Sequence, residues 1–187
     1  MLEVNCQYGH KTAIGAINRS FHPGKLYGIT GANGAGKSTL LLTMAGELEP
    51  ITGQVRINGL DPARAGAGQI IRVGDPVFIP DLTIGEHVAL LAKEKQEELT
   101  SQWQLTEYAS VPPSWVSSGQ RQRVFLAKQL VQPAPAIIID EPERHLDSDW
   151  VDFVCAELQQ IAWDGAVVVV ATHSQQVLAA CDEVIEL

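Results

Sequence analysis

The stretch Gly31-Ala32-Asn33-Gly34-Ala35-Gly36-Lys37-Ser38-Thr39 decides the fold of this chain. It matches the phosphate-binding spacing G-x-x-x-x-G-K-[ST], in which glycines let successive backbone N–H groups turn inward around a phosphate. In that arrangement the Lys37 ammonium reaches the β- and γ-phosphates, and the Ser38 hydroxyl is placed to bind Mg²⁺. A helix that starts at the lysine adds its positive dipole end. The loop therefore predicts a nucleoside triphosphate with Mg²⁺, held by Gly31, Asn33, Gly34, Ala35, Gly36, Lys37, Ser38 and Thr39.

The residues on either side of the loop fit a strand–loop–helix unit. Residues 25–30 have the length and apolar content of a short buried strand, and residues 39–46 read as a helix that a glycine ends. An accidental glycine-rich turn does not require such flanks, so the context favours nucleotide binding.

The composition is that of one compact domain of 187 residues, 45% hydrophobic and 19% charged. The net charge of −9 argues against a protein that holds nucleic acid through a basic face. The three cysteines, Cys6, Cys155 and Cys181, are scattered and are expected to be buried, reduced thiols. The longest apolar run, residues 166–171, is too short to span a bilayer, and the N-terminus lacks a secretory pattern, so a membrane role would need a partner.

Hydrophobic patterning predicts two kinds of sheet. Residues 2–7 and 55–58 alternate apolar and polar side chains, which indicates half-exposed antiparallel strands. Residues 136–139 and 166–171 are near-continuous apolar runs, which are typical of a parallel sheet covered on both faces.

Between these segments the pattern is helical. A helix is predicted after Pro80, where Thr83 and Glu86 have the spacing of a capping box. A further helix is predicted from Gly119, and Pro133 ends it.

Polar residues follow both apolar runs: Asp140-Glu141 after the first and Thr172-His173 after the second. Ligands of open α/β sheets lie beyond the carboxyl ends of the strands, so these residues and the phosphate loop should meet at one site. There, Asp140 suits Mg²⁺, and Glu141 could polarise the attacking water or accept its proton. Without the loop, Asp-Glu-Pro would be an ordinary polar turn and His173 a structural histidine; with it, His173 is interpreted as a γ-phosphate contact.

At this point the chain resembles the ATP-binding cassette (ABC) family over essentially its whole length. The resemblance rests on segments that stand in family order: Tyr8, residues 31–39, Pro80-Asp81-Leu82-Thr83, Ser117-Ser118-Gly119-Gln120, residues 136–142, Leu146-Asp147 and Thr172-His173. Four small or polar residues before a helix, as at 117–120, are a weak signal alone. Their position between the helical stretch and the acidic pair makes them diagnostic.

The resemblance implies an α/β fold: a P-loop NTPase core with a mostly parallel sheet, an N-terminal antiparallel β subdomain and an inserted α-helical subdomain. Residues 1–79 and 133–187 would form the nucleotide-binding core, and residues 80–132 the helical subdomain, within a single ABC ATPase domain.

The resemblance also implies that two cassettes enclose ATP between them. Tyr8 would stack on adenine, with an ordinary strand-end aromatic as the alternative. Ser117, Gly119 and Gln120 of one subunit would face the phosphate loop of the other, and Asp147 would tie the two sites together.

Three departures from the family pattern qualify these expectations. Val116 and Ser118 replace a leucine and a glycine of the usual Leu-Ser-Gly-Gly-Gln segment. The glutamine usual near position 74 is missing, which puts coupling and turnover in doubt, and Asp75 is the candidate replacement as a Mg²⁺ ligand. The sequence also stops soon after His173, as expected of a near-minimal cassette.

The function that these features favour is that of the ATP-binding and ATP-hydrolysing subunit of an ABC transporter. It would work as a dimer of identical chains on separate transmembrane permease subunits at the cytoplasmic face of the membrane. It would use ATP and Mg²⁺ and would not bind nucleic acid. Two alternatives remain: a soluble ABC ATPase outside transport, and a regulatory nucleotide-binding subunit with weak hydrolysis.

Overall fold

The computed structural model describes residues 1–187, which form two compact units. The first comprises Met1–Gly74, Ala134–Glu143 and Ser148–Leu187, and the second comprises Asp75–Pro133 and Arg144–Asp147. The second unit thus contains more residues than the insertion predicted at 80–132. It begins at Asp75, and it includes a four-residue segment that follows the acidic pair in the sequence.

The first unit contains a three-stranded antiparallel sheet. Its strands are β1 (Leu2–Gly9), β2 (Ala13–Phe21) and β4 (Thr52–Ile57), in the order β2-β1-β4. Side chains of β1 alternate between buried and exposed along the strand, as predicted for residues 2–7. The register pairs Leu2 with Phe21 on one side and with Ile57 on the other.

A five-stranded parallel sheet completes the strands of this unit. It contains β3 (Lys25–Thr30), β5 (Ile70–Val73), β6 (Ala136–Asp140), β7 (Val167–Ala171) and β8 (Glu183–Glu186), in the order β5-β6-β7-β3-β8. All five residues of β7 are buried, which explains its continuous run of valines. The predicted parallel sheet and the α/β fold class are therefore confirmed.

Three helices belong to the first unit: α1 (Lys37–Met44), α5 (Ser148–Trp163) and α6 (Gln175–Ala179). Helix α1 contacts β1, β6 and β7, so it lies between the two sheets, and α5 packs against β3 and β7. One core cluster joins the buried faces of both sheets with α1. The phosphate loop therefore connects a strand and a helix that both contribute side chains to this cluster.

The second unit is helical, with α2 (Ile84–Ala92), α3 (Gln96–Gln102) and α4 (Ser118–Leu130). The predicted capping box begins α2: the Thr83 side chain accepts from the Glu86 N–H, and Glu86 accepts from the Thr83 N–H at 2.7 Å. Four short 3₁₀ turns occur in the chain, at Pro62–Arg64, Lys93–Lys95, Thr106–Tyr108 and Pro113–Trp115.

Cys6 and Cys155 are buried and Cys181 is half-buried, and none of them forms a disulfide. None of the helices has both the length and the apolar character needed to cross a membrane.

Candidate nucleotide-binding site

The phosphate loop connects the end of β3 to the first turn of α1. Gly36, the residue before the helix, has a φ of 97°, in the left-handed region that favours glycine. A Cβ atom at Gly36 would also lie 3.0 Å from the Tyr8 ring and 3.0 Å from the Ile14 side chain. Both the backbone turn and the close support beneath it therefore require glycine at this position.

Tyr8 lies in the core and not on the surface of the site. Its exposed fraction is 2%, and burial raises the pKa of its phenol. Its hydroxyl would be 2.4 Å from a Cβ at Gly15, so the ring is closely covered on that side as well. A ring with 2% of its surface exposed offers little area to a base. The stacking of adenine on Tyr8 stays a prediction, and this burial favours the alternative of a strand-end aromatic in the core.

The Lys37 ammonium is directed back over the loop from the start of α1. It donates to the carbonyl of Gly31 at 2.9 Å and to that of Ala32 at 3.2 Å. The side chain is 8% exposed, so the charge is held at the loop by two carbonyl dipoles and not by an acidic partner. That leaves its positive charge available to an anionic ligand.

A cleft of about 270 Å³ brings together residues from three strand ends. The ends of β3, β6 and β7 contribute to it, and the residues that line it are Ile14, Asn33, Gly34, Gly36, Lys37, Ser38, Thr39, Asp140, Glu141 and His173. The predicted convergence of the loop, the acidic pair and the histidine is therefore what the first unit shows. Gly31 and Ala35 belong to the loop without lining the cleft.

The acidic pair is held by neighbouring strand β7. Asp140 is the last residue of β6 and pairs with Ala171, and the Glu141 N–H donates to the Ala171 carbonyl at 2.8 Å. Glu141 has a φ of 48°, which is uncommon for a residue other than glycine. Such backbone strain is often found where a side chain must be directed into a site.

Ser38 and Asp140 are the two hard oxygen donors of the cleft that were predicted to bind Mg²⁺. No group of three or more His, Cys, Asp or Glu side chains in the chain could hold a metal alone. This donor set fits Mg²⁺, which commonly takes one or two protein oxygens and completes its shell with water and substrate phosphates.

His173 is an exposed residue that lines the cleft directly after β7. The preceding residue, Thr172, has no exposed surface, and its N–H donates to the carbonyl of Ile29 at 3.1 Å. The histidine is therefore anchored through its neighbour to strand β3, immediately before the phosphate loop.

In the second unit, Ser117 and Gln120 form a capping box at the start of α4. The Ser117 hydroxyl oxygen accepts from the Gln120 N–H at 3.1 Å, and the Gln120 side-chain oxygen accepts from the Ser117 N–H at 2.7 Å. The hydroxyl proton of Ser117 is not used by the box, so this exposed serine can still donate to an anion.

Gly119, in the first turn of α4, is in close contact with the segment Arg144–Asp147. A Cβ atom at Gly119 would be 2.7 Å from the carbonyl oxygen of His145. His145 itself has a φ of 65°, so the segment turns sharply at this contact. This packing explains a glycine at position 119 whether or not it touches a ligand, and it assigns the Leu146-Asp147 segment to the second unit.

Asp147 and Asp75 both belong to the second unit. Asp147 is exposed and interacts electrostatically with Arg123, whose pKa is lowered by burial and raised in part by Tyr108 and Asp147. Asp75 forms an ion pair with Arg144. The Arg144 guanidinium contacts one oxygen of the Asp75 carboxylate, so its positive charge lies beside the group that was predicted to bind Mg²⁺.

Sequence reasoning missed one residue that lines the cleft and one that supports it. Ile14 lines it with 49% of its surface exposed, although nothing in the polar pattern of β2 distinguishes this residue. Thr172 was noted only as the neighbour of His173, yet its N–H donates to Ile29 near the end of β3, two residues before the phosphate loop.

Comparison with known proteins adds family relationships to this geometry. The sequence model of a family described as ABC transporter matches residues 14–144. The chain is 32% identical over 184 residues to the cell division ATP-binding protein FtsE of Bacillus subtilis, covering 89% of this chain and 81% of that protein. It is 37% identical over 162 residues to the sulfate/thiosulfate import ATP-binding protein CysA of Synechocystis, covering 78% and 44%.

Other relatives are longer than this chain. An uncharacterized ABC transporter ATP-binding protein of Mycobacterium tuberculosis is 31% identical over 194 residues, with 93% of this chain but only 58% of that protein covered. The chain thus spans little more than half the length of that relative.

Solved structures with the same fold are also ATP-binding subunits. One, described as the ATP-binding subunit of an ABC transporter, has a TM-score of 0.88 and 27% identity, covering all of this chain and 85% of that one. Another is a dimeric ATP-binding cassette in a post-hydrolysis state bound to ADP and Pi, with a TM-score of 0.85 and 26% identity, covering 100% and 94%.

Proposed function

The chain belongs to the ABC transporter family as an ATP-binding cassette, and from that premise we propose that it binds and hydrolyses ATP with Mg²⁺ to drive a transporter. The observation that carries the proposal is the single cleft that contains the phosphate loop, Asp140, Glu141 and His173. These are the groups that phosphoryl transfer to water requires: a phosphate cradle, a metal ligand, a base and a γ-phosphate contact.

Binding of the triphosphate depends on the loop and on Lys37. Backbone N–H groups of the loop and the start of α1 donate to the phosphates, and the lysine exchanges its carbonyl partners for the β- and γ-phosphate oxygens. Ser38 and Asp140 would hold Mg²⁺, which neutralises charge on the phosphates when it is bound.

Hydrolysis depends on Glu141 and His173. Glu141 orients a water molecule in line with the γ-phosphorus and accepts its proton as the bond to the β-phosphate oxygen breaks. His173 donates a hydrogen bond to the γ-phosphate and so stabilises the negative charge on the γ-phosphoryl oxygens as the bond to ADP breaks. Both residues are joined to β7: Glu141 through the hydrogen bond of its N–H to Ala171, and His173 through the chain itself. The strand therefore keeps the two residues in a fixed position relative to each other.

Two chains are proposed to close around two ATP molecules. The free hydroxyl proton of Ser117 and the N-terminus of α4 would bind the γ-phosphate held by the partner's loop, with Gly119 and Gln120 completing that contact. Asp147 would couple the two nucleotide sites of the dimer. The dimeric relative bound to ADP and Pi supports such an assembly in a similar cassette.

The transmembrane partner and the location are proposed from the family. One relative, with 30% of its length covered, is the macrolide export ATP-binding/permease protein MacB of Rhodopseudomonas palustris, whose name joins a cassette and a permease. We propose that this cassette likewise acts on permease segments, supplied by separate subunits, from the cytoplasmic face of the membrane.

A second candidate function is that of a regulatory nucleotide-binding subunit with weak hydrolysis. The observation in its favour is the Asp75–Arg144 ion pair, because it engages Asp75, the candidate replacement for the missing glutamine. In that case ATP binding and dimerisation would persist while turnover remained low even with the permease present.

The variant Glu141→Gln tests the proposal. We expect ATP affinity to stay within about twofold, hydrolysis to fall about 100-fold or more, and a dimer to accumulate with MgATP, since removing a catalytic base costs about 10²–10⁴ in rate. Hydrolysis is measured by phosphate release and assembly by analytical ultracentrifugation. Glu49→Gln, which changes an exposed carboxylate on the loop after α1, is the control. Undiminished hydrolysis in Glu141→Gln would refute the role of this residue.

A further inference from the structure

A third carboxylate, Glu143, lies two residues beyond Glu141 and has no part in the proposed chemistry. Its Oε1 atom accepts a hydrogen bond from the hydroxyl of Thr172, the residue before His173. Thr172 has no exposed surface, so water does not compete for this hydrogen bond. Glu143 thus bridges the turn that carries Glu141 and the turn that carries His173.

The Thr172 hydroxyl also fixes the backbone beyond His173. Its oxygen accepts from the Ser174 N–H at 2.9 Å. A hydroxyl group has one proton, and the Thr172 hydroxyl donates it in the hydrogen bond to Glu143. An oxygen lone pair is therefore left to accept from the Ser174 N–H. His173 is consequently the middle residue of a turn, and the hydrogen bond that closes this turn depends on where Glu143 holds the Thr172 hydroxyl.

The second carboxylate oxygen of Glu143, Oε2, is buried without a hydrogen-bond partner. A buried, unpartnered carboxylate oxygen lowers stability, so an apolar side chain would suit this space better if packing were its only role. The Glu143 carboxylate also affects a side chain of α5. Burial first, and then the negative charges of Asp152 and Glu143, raise the pKa of the Cys155 thiol to about 11. This cost is what distinguishes Glu143 from a packing residue.

We infer that Glu143 is a positioning residue for His173, acting through the Thr172 hydroxyl. The inference rests on the proposed role of His173 as a γ-phosphate contact. Without the carboxylate, the hydroxyl rotates away from Ser174, the turn loosens, and the imidazole is less often directed into the cleft. ADP has no γ-phosphate, so its binding should not depend on this arrangement.

The test uses four variants of the full chain: Glu143→Ala, Glu143→Gln, Thr172→Val and the double variant Glu143→Ala/Thr172→Val. For Glu143→Ala we expect kcat to fall about tenfold, while KM for ATP and the MgADP affinity stay within about twofold. Glu143→Gln should keep at least half of the wild-type kcat, because its carboxamide oxygen accepts the same hydrogen bond. Thr172→Val should match Glu143→Ala, and the double variant should be no slower than either, as two groups in one relay are not additive.

Three results would overturn the inference: wild-type kcat in Glu143→Ala, an equal loss in Glu143→Gln, or losses that multiply in the double variant. Glu49→Ala serves as the control for removal of a carboxylate from an exposed loop of the same unit. Thermal unfolding of each variant separates loss of folded protein from loss of turnover.

Amide hydrogen exchange at Ser174, measured by NMR on the nucleotide-free chain, tests the relay without any hydrolysis. We expect exchange at this amide to be faster by about tenfold in Glu143→Ala and unchanged in Glu143→Gln. An inactive wild type would contradict the proposed function, whereas an active wild type with unchanged Ser174 exchange in Glu143→Ala would contradict the inference alone.

Discussion

Tyr8 lies where a side chain can support the phosphate loop from beneath. Its ring lies under Gly36, within 3.0 Å of where a Cβ atom would stand, and it belongs to the core that joins both sheets. Contact with the aromatic ring thereby limits how closely the phosphate loop can approach β1 at Gly36. If this support is its only role, the base of the nucleotide is bound elsewhere or left largely in solvent.

The variant Tyr8→Leu distinguishes support from stacking. A stacked base contributes about 1–3 kcal/mol, so a stacking Tyr8 would give ATP an affinity advantage over tripolyphosphate that leucine would abolish. For a buried Tyr8 we expect ATP and tripolyphosphate to weaken by the same factor, because only the loop is disturbed. Calorimetric titration of both ligands gives the ratio, and Tyr8→Phe, which keeps the ring, is the control. A selective loss of ATP affinity would restore the stacking interpretation.

The alternating pattern of β1 already indicated that Tyr8 faces the core, although the family resemblance favoured the stacking of adenine on this residue. Leu2, Val4 and Cys6 alternate toward the buried face, and Tyr8 has the same parity along β1. The convergence of Lys37 and His173 could likewise be predicted, because parallel strands end at one edge of a sheet. The contact of Glu143 with Thr172 could not, since it joins turns 29 residues apart through side-chain rotamers that no pattern encodes.

At the scale of elements, the start of α4 and the segment Arg144–Asp147 form one packed unit. Gly119 allows the carbonyl of His145 to approach the first turn of the helix. Hydrophobic periodicity predicted α4, but this segment has no periodicity and follows a strand of the first unit. Contacts with residues distant in sequence place it in the second unit: the His145 carbonyl at Gly119, the Arg144–Asp75 ion pair and the interaction of Asp147 with Arg123. No local pattern encodes these contacts, so the end of the helical stretch near residue 133 could be predicted from the sequence and the return at 144 could not.

Replacing Gly119 by alanine should reverse the usual sign of that substitution. Alanine in a helix normally stabilises by up to about 1 kcal/mol relative to glycine. Here its Cβ would meet the His145 carbonyl at 2.7 Å, and we expect a net loss of about 1–2 kcal/mol in the free energy of unfolding. Denaturant titration measures it, with Ser118→Ala, at the exposed neighbouring position, as the control. A more stable Gly119→Ala variant would contradict the close contact.

The capping box of α2 gives this element a pH dependence. Hydrogen bonds from the Thr83 backbone and side chain lower the pKa of Glu86 in the folded state. A lowered carboxyl pKa stabilises the fold above the unfolded value of about 4.3 and ceases to do so as pH falls through the folded value. The stability difference between wild type and Glu86→Gln should therefore be present at pH 7 and shrink below about pH 4.3. Denaturant titrations across this range measure it, and a difference that is constant with pH would contradict the prediction.

At the scale of the whole molecule, the net charge of −9 opposes the proposed closure of two identical chains. Repulsion between like-charged bodies is long-ranged at low salt, where the Debye length is about 30 Å at 0.01 M, and is screened at 0.15 M, where it is about 8 Å. The MgATP dimer of Glu141→Gln should therefore become tighter, by about tenfold, between these two salt concentrations. Sedimentation equilibrium at saturating MgATP measures the dissociation constant, and the same titration without nucleotide controls for non-specific association. A dimer that salt weakens would mean that complementary charges at the interface, and not the net charge, govern closure.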